Sequence, residues 1–465
     1  MSQISIQLGD SLELLKKYPD NHFDSIVTDA PYGFGKEPDP VAMLQAWITS
    51  GYMEIKGTGF MGKKWDAFVP QPIFWKEVFR VLKPGGYLLC FFGTRTYDWG
   101  TMAIRLAGFE IRDMITWHYG SGFPKSLDVS KAIDKSAGVE REKKQIKFSS
   151  KVLMTTEGNT RPWQDEAEKK GYHELAGDIP VSDDAIKYDG WGTALKPATE
   201  PICVARKPLI GTVAQNMILH GTGGINIDGC RVDFENEADL RSATYGTGTN
   251  IIGANYVGSK LTDGRKNIEA NSNGRFPANV IMDPFMGDIM DEQTGILTSG
   301  KAKPTTGKYT SNIYADSGGA SRFFYCAKAS QDERNAGCEH LSLKDPSSVT
   351  DFRPTLKSDP AAWAETESAY MRTTARNNNH PTVKPISVMR WVQRLVTPVG
   401  GLTLDPFAGS GTSGCSAAFE GFDIVLMEAE AEYLPIIKAR TEHWQKVANR
   451  EKYIEELKNS QTTLF

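Results

Sequence analysis

Apolar and polar positions follow two regular patterns at the ends of this chain and no regular pattern in between. Ile4–Gln7 alternates and predicts a short strand, followed by Gly9, Asp10 and a helical stretch through Leu15. Phe23–Thr28 is a compact apolar run that reads as a strand ending at Asp29. From Pro72 to Leu82 the apolar residues Ile73, Phe74, Val78, Phe79 and Leu82 recur at helical spacing. Pro72 suits the first turn, and Lys83, Pro84, Gly85 and Gly86 read as a stop. Tyr87–Phe92 and Ile111–Trp117 follow as strands. Strand, helix and strand at these lengths predict a parallel sheet with crossover helices.

After Gly120 the texture changes. Residues 121–370 are rich in Gly, Asn, Ser and Thr, with brief apolar runs at Pro201–Ala205, Asn279–Met282 and Arg322–Ala327. Pro201–Ala205 reads as a return strand of the first sheet. Regular patterning resumes after Asn377–Asn379 with a helix at Ile386–Val396 and a strand at Leu402–Leu404. A helix at Thr412–Phe419, a strand at Ile424–Met427 and a long helix from Ala431 to Ala448 complete it. The expected organisation is a catalytic half of the sheet at 1–120, an insertion with the return strand at 121–208, a separate lobe at 209–370, and a second half at 371–465.

Composition narrows the class. The 465 residues, 40% hydrophobic and 24% charged, suit a globular protein with a full core. No stretch is long and apolar enough to span a bilayer, and the first residues lack a signal-peptide pattern, so the expected location is the cytoplasm without a membrane partner. The six cysteines form no C-x-x-C pair, which argues against a zinc site or a disulfide framework; no metal is expected. Cys90 and Cys415 lie in apolar surroundings and read as reduced core thiols. A net charge of −4 does not advertise a polyanion partner, but only the contact face needs to be basic.

Two turns carry the chemistry. Leu402–Leu404 runs into Asp405, Pro406, Phe407 and a glycine-rich turn in which Gly409, Gly411 and Gly414 fit G-x-G-x-x-G. Such glycines let the backbone pass close to a nucleotide and open a helix towards it. Glu428, closing the next strand, is placed to bond ribose hydroxyls. Asp405 would repel a pyrophosphate and favours a ligand with a cationic group instead. The second turn is Asp29, Ala30, Pro31 and Tyr32. An exocyclic amine on a base is a weak nucleophile because its lone pair is delocalised. The Asp29 carboxylate and the Ala30 carbonyl could each accept one N–H, and Tyr32 could stack on the ring. Either turn alone is compatible with ordinary packing; their presence in one chain is what points to catalysis.

With these motifs the sequence resembles the amino-directed DNA methyltransferases that use S-adenosylmethionine, in the motif order of their beta class. Asp29–Tyr32 resembles the family's Asp-Pro-Pro-Tyr motif, with Ala30 where proline is usual. Asp405–Thr412 resembles its glycine-rich cofactor motif, and His380–Pro385 the motif that precedes it. Gly9 and Asp10, Arg80–Gly86 and Glu200–Lys207 also match its core elements. The resemblance implies an α/β, Rossmann-like methyltransferase sheet, seven-stranded and mostly parallel, with an inserted loop-rich target-recognition lobe. It further implies that Asp29, Ala30, Pro31 and Tyr32 are catalytic. Cofactor contacts would come from Asp10, Thr382, Lys384, Pro385, Asp405, Pro406, Phe407, Gly409, Ser410, Gly411, Thr412 and Glu428. Thr382, Lys384 and Pro385 are expected at the methionine end, and Asp10 at the adenine ring.

The implied reaction is methylation of an exocyclic amine of a flipped DNA base. Aspartate at the first motif position favours adenine N6 over cytosine N4. Methylation of RNA or of a protein amide, and a nucleic-acid-binding protein without catalysis, are the alternatives; a nicotinamide dehydrogenase would leave Asp29–Tyr32 unexplained. DNA is the expected partner, and a cognate restriction nuclease and a homodimer are compatible with the resemblance. In the middle region, Gly120–Lys125, Trp191, Arg275–Pro277 and Arg322–Tyr325 combine aromatics with cations, as nucleic-acid contacts do.

Overall fold

The computed structural model describes residues 2–57, 59, 64–120, 122, 126–147, 172–234, 239–240, 272–298, 317–327, 332–342 and 377–462. Nine strands form one sheet: β1 (Ile4–Leu8), β2 (Phe23–Asp29), β3 (Leu82–Phe91), β4 (Glu110–His118), β5 (Thr199–Arg206), β6 (Val280–Met282), β7 (Tyr325–Cys326), β8 (Leu402–Asp405) and β9 (Asp423–Glu428). Their spatial order is β1-β9-β8-β2-β3-β5-β4-β6-β7. All pairings are parallel except those of β5, which runs antiparallel to β3 and β4. This is the return strand expected at Pro201–Ala205.

The count of seven strands needs correction. The expected sheet is present from β1 to β4, and β6 and β7 extend it to nine. Both come from brief apolar runs of the middle region, and β6 pairs with the otherwise open edge at Thr116–His118. The helix stops just before Lys83–Gly86, as expected, but those residues lie within a strand. The helix α2 (Pro72–Val81) passes directly into β3 at Leu82. Phe23 pairs with Leu82 and Ser25 with Tyr87, so the four residues between are looped out of register as a bulge. Gly85 takes φ +76° there. The Pro84 carbonyl accepts bonds from Asn216 Nδ2 at 2.9 Å and Thr222 Oγ1 at 2.6 Å. Pairing on both sides of the bulge overrides its turn chemistry.

The strands bury both faces, as parallel sheets require. Ile26, Leu88 and Cys90 join one apolar layer with Phe74, Trp75 and Val78 of α2 and with α3 (Tyr97–Leu106). Val27, Leu89 and Phe91 point the other way, into a layer with Trp391 and Val392 of α4 (Ile386–Val396). Helices α5 (Thr412–Glu420) and α6 (Leu434–Thr462) close the β9 side.

What places the site is the order of the halves. β2 and β8 come from opposite ends of the chain and are hydrogen-bonded neighbours, with Thr403 opposite Ser25 and Leu404 opposite Ile26. From this pair the chain winds outward in both directions, to β3 and to β9. In open α/β sheets a crevice lies outside the carboxyl ends of the strands at such a switch point. Asp29, Asp405 and Glu428 stand at those ends. Among the described residues no helix is long and apolar enough to cross a membrane.

Candidate active site

A cavity of about 390 Å³ opens over the carboxyl ends of β2, β8 and β9. Asp29–Tyr32 form one wall, and Asp405–Ser410 with Thr412 another. The two turns are joined directly: Thr28 Oγ1 donates to Asp405 Oδ1 at 2.6 Å. Asp10, Thr382, Lys384 and Glu428 also line the cavity. Pro385 and Gly411 do not. Pro385 is the residue before the first turn of α4, where a ring without N–H fits. Gly411 takes φ +75°, and a β-carbon there would press on Ile437 of α6.

The glycine turn is held from beneath. Ser413 Oγ donates to Asp405 Oδ2, and the Phe407 N–H donates to Asp405 Oδ1 at 3.0 Å. Arg440 of α6, fully buried, donates to the Ser410 carbonyl at 2.8 Å and to Thr412 Oγ1 at 2.9 Å. Above the turn, Gly409 N–H donates to Glu428 Oε2, and Glu430 N–H donates to Glu428 Oε1, each at 2.8 Å. Burial pushes the Glu428 carboxyl up to about 7 and the Asp405 carboxyl up to about 6, against the hydrogen bonds that favour their charged forms. Phe407 packs on Phe74 with ring centroids 5.0 Å apart, and both line the cavity as an apolar wall beside the turn. Asp10 caps the short helix α1 (Ser11–Leu15) through the Glu13 N–H at 3.1 Å.

His380 packs its ring beside Gly409. Its Nδ1 bonds the Thr382 carbonyl, and its ring lies edge-on to Tyr433 at 4.5 Å. Burial pushes its pKa down to about 3, so the ring is neutral at physiological pH.

On the other wall, Lys384 is buried and donates to Asp29 Oδ2 at 2.6 Å, with Glu200 Oε2 at 3.2 Å. Burial opposes its charge, but Asp29 and Glu200 outweigh burial and hold its pKa above the usual lysine range. Its ammonium also lies 5.2 Å from the Tyr32 ring and 5.4 Å from the Phe91 ring. Tyr32 donates its hydroxyl to Glu200 Oε2 at 2.8 Å. Burial, then the charges of Asp29 and Glu200, push that phenol well above its ordinary pKa, so it stays a donor. Asp29 Oδ1 is buried and has no hydrogen-bond partner. Asp29 lines the cavity, and a carboxylate with a buried, unpaired oxygen gains from any N–H that reaches it.

The sequence placed Lys384 at the methionine end of a cofactor; the structure ties it to Asp29. Glu200 was legible only as part of a core strand. The signal for it lies in topology: β5 alone is reversed, so its first residues reach the edge where the other strands end. Asp66, Phe74, Trp65 and Tyr433 also line the cavity and were not read as site residues, and His380, read only as the start of a motif, joins them. Among the middle-region candidates, Arg275 pairs with Asp239, and Arg322 lies 3.6 Å from the same carboxylate. Phe276 and Trp191 are exposed. Of Gly120–Lys125, only residues 120 and 122 lie within the described set. Among the described residues no group of three or more His, Cys, Asp or Glu side chains is arranged to hold a metal ion.

A mostly parallel α/β sheet, with a glycine turn and an acid-tipped strand facing one cavity, defines a Rossmann-like methyltransferase. The sequence profile of the DNA methylase family (N6_N4_Mtase) matches residues 23–189 and 290–439, and the chain belongs to that family. The cofactor of the family is S-adenosylmethionine. Curated relatives include type II methyltransferase M.BglI of Bacillus subtilis, 28% identical over 115 residues, or 24% of this chain and 33% of that protein. Type II methyltransferase M.ScaI of Streptomyces caespitosus is 32% identical over 127 residues, or 26% of this chain and 36% of that protein. The matched segments thus span about a third of these relatives. Among solved structures, the PvuII DNA methyltransferase (cytosine-N4-specific) aligns over 97% of this chain and 93% of its own, at 12% identity and a TM-score of 0.39. The M1.HpyAVI–SAM complex aligns over 94% of this chain and 100% of its own, at 12% identity and a TM-score of 0.34.

Proposed function

We propose that this chain methylates an exocyclic amino group of a base in DNA, adenine N6 in preference to cytosine N4. The observation that carries the reading is Asp29, which lines the same cavity as the glycine turn and keeps one buried oxygen, Oδ1, without a hydrogen-bond partner. That cavity fits the family's cofactor. Glu428 offers carboxylate oxygens for hydroxyls, the packed rings of Phe407 and Phe74 offer an apolar wall, and Gly409 leaves room that a side chain would fill. When bound, S-adenosylmethionine supplies a methyl group activated by a sulfonium.

The protein's own part is to present the amine. Asp29 Oδ1 accepts one N–H and the Ala30 carbonyl accepts the other, which turns the nitrogen lone pair away from the ring plane. Alanine supplies that carbonyl as proline would. Tyr32 gives the base a flat face, and the base must leave the duplex to reach it. The acid at position 29 supports adenine as the target. The names of the type II relatives support DNA as the substrate and a restriction–modification setting in the cytoplasm. On the same reading residues 209–370 recognise the target site.

The test is incubation of the full chain with methyl-labelled S-adenosylmethionine and separate pools of unmodified DNA, RNA and protein, then nucleoside analysis. Label in N6-methyladenine from DNA is expected. Label in N4-methylcytosine would redirect the target base, and label confined to RNA or protein would reject the DNA reading.

Cofactor affinity should depend on pH through Glu428. Accepting hydroxyl donors requires the ionised carboxylate, so affinity is expected to fall by about tenfold per unit below pH 7. Calorimetric titrations spanning about three pH units centred on that value would show it, and Glu428→Gln should flatten the curve. Stability without cofactor carries the opposite sign. A folded pKa raised to about 7 means the folded state holds its proton longer than the unfolded chain. Glu428 therefore favours folding most below the ordinary carboxylate pKa, and that contribution is lost as pH rises through about 7.

A further inference from the structure

We infer that Glu200 is a positioning residue for methyl transfer, holding Lys384 and Tyr32 so that one oxygen of Asp29 stays open to the substrate amine. The inference rests on the function proposed above and adds a residue that none of the cavity's own turns contains.

The fold delivers Glu200 by a route different from the other acids of the site. Asp29, Asp405 and Glu428 end parallel strands, whereas Glu200 is the second residue of β5, the reversed strand. Reversal brings its beginning to the same edge. There one carboxylate oxygen, Oε2, takes the Tyr32 hydroxyl at 2.8 Å and lies 3.2 Å from Lys384 Nζ. Tyr119, next to β4, lies against the same carboxylate.

Lys384 is the shared partner. An ammonium has three N–H donors and no acceptor. One goes to Asp29 Oδ2 and one turns to Glu200, while the rings of Tyr32 and Phe91 flank the charge. Split between two carboxylates, the cation takes a single oxygen of Asp29 and leaves Oδ1 unpaired. Remove the Glu200 charge and the buried cation has one counter-ion left. Coulomb attraction in a poorly solvated site then draws Lys384 fully onto Asp29. Both Asp29 oxygens become engaged, and the acceptor needed for the amine is spent. A glutamine at this position still accepts the Tyr32 hydroxyl, so that change isolates the effect of the charge on Lys384.

The experiment is a double-mutant cycle in the full chain, with Glu200→Gln, Lys384→Met and the pair combined. Glutamine keeps the shape and removes the charge. Glu200→Gln is expected to lower kcat for DNA methylation by about 10- to 100-fold, the effect of a misplaced reacting group. Cofactor affinity by calorimetry should match wild type, and the melting temperature should stay well above the assay temperature. If Glu200 acts through Lys384, the double variant is no slower than Lys384→Met alone. Tyr32→Phe, which removes the hydroxyl's bond to Glu200 and its contact with Asp29 but no charge, should lower kcat by a smaller factor and serves if glutamine disturbs folding. Wild-type turnover in Glu200→Gln, or losses that multiply fully in the double variant, would overturn the inference. So would a drop in cofactor affinity or melting temperature that accounts for the slower rate. Wild-type protein that transfers no methyl to DNA would instead overturn the function on which it rests.

Discussion

Replacing Asp29 by asparagine is expected to lower methyl transfer to DNA by at least about 10²- to 10³-fold, nearly as much as replacing it by alanine. An isosteric change that still carries a carbonyl oxygen would ordinarily be mild. Here Lys384 decides the outcome. Its buried ammonium is 2.6 Å from Asp29 Oδ2 and can only donate. In Asp29→Asn the amide must turn its oxygen to Lys384, which leaves its NH₂ in the place of Oδ1. The wall then offers a donor to an amine that needs an acceptor. Two donors facing each other in a buried site repel and leave both unsatisfied. Asp29→Ala loses the acceptor outright. In both variants cofactor affinity is expected to stay near wild type, because the glycine turn and Glu428 keep their own supports. Single-turnover methylation beside calorimetric cofactor binding separates the effects. Turnover at the wild-type rate in either variant would remove Asp29 from the chemistry.

Much of the scaffold was legible because its signals are local. The strand ending at Asp29, the helix Ile386–Val396 and the strand–turn–helix around Gly409 all declare themselves within about a dozen residues, by period and by glycine placement. The return strand was legible from its apolar run. What escaped was set by pairing across long separations. Lys83–Gly86 stops the helix as read, but its place as a bulge, with β2 and β3 paired before and after it, was not legible. The last two strands of the sheet are only three and two residues long, too short to give a period.

The site divides in the same way. Residues within the two turns were read from their own motifs. Glu200 and Lys384 needed the sheet: 184 positions separate them in the chain, and they meet because one strand is reversed and one loop crosses its edge. Arg440 is a similar case. On the sequence it is one basic residue in a long terminal helix, but in the fold it is fully buried under the glycine turn and bonded to Ser410 and Thr412. Charge at the carboxyl edge of a sheet, or beneath a glycine turn, has meaning that linear spacing does not carry. The arginines of the middle region show the converse. Arg275 and Arg322 read as phosphate contacts, and the fold commits both to Asp239.

Gly409→Val is expected to reduce cofactor affinity by more than about 100-fold while the chain stays folded. Three facts set that magnitude. Gly409 takes φ +53°, where a β-branched residue is strained by about 1–3 kcal/mol. A β-carbon built there would sit 2.8 Å from His380 Nε2 and 2.9 Å from Cε1, inside van der Waals contact. His380 cannot swing aside cheaply, since its other nitrogen bonds the Thr382 carbonyl and its ring packs on Tyr433. The turn must therefore move, and with it the Gly409 N–H that bonds Glu428 at 2.8 Å. Cofactor seat and hydroxyl acceptor would be displaced together. Gly400→Ala is the control: Gly400 has φ +69° but open space where its β-carbon would lie. It shares the backbone strain without the collision, so it should lose a little stability and keep its cofactor affinity. Calorimetric titration and thermal unfolding of the two variants test this together. Equal affinity in Gly409→Val and wild type would mean that the cofactor does not bind against this turn, and the cavity would lose its assignment.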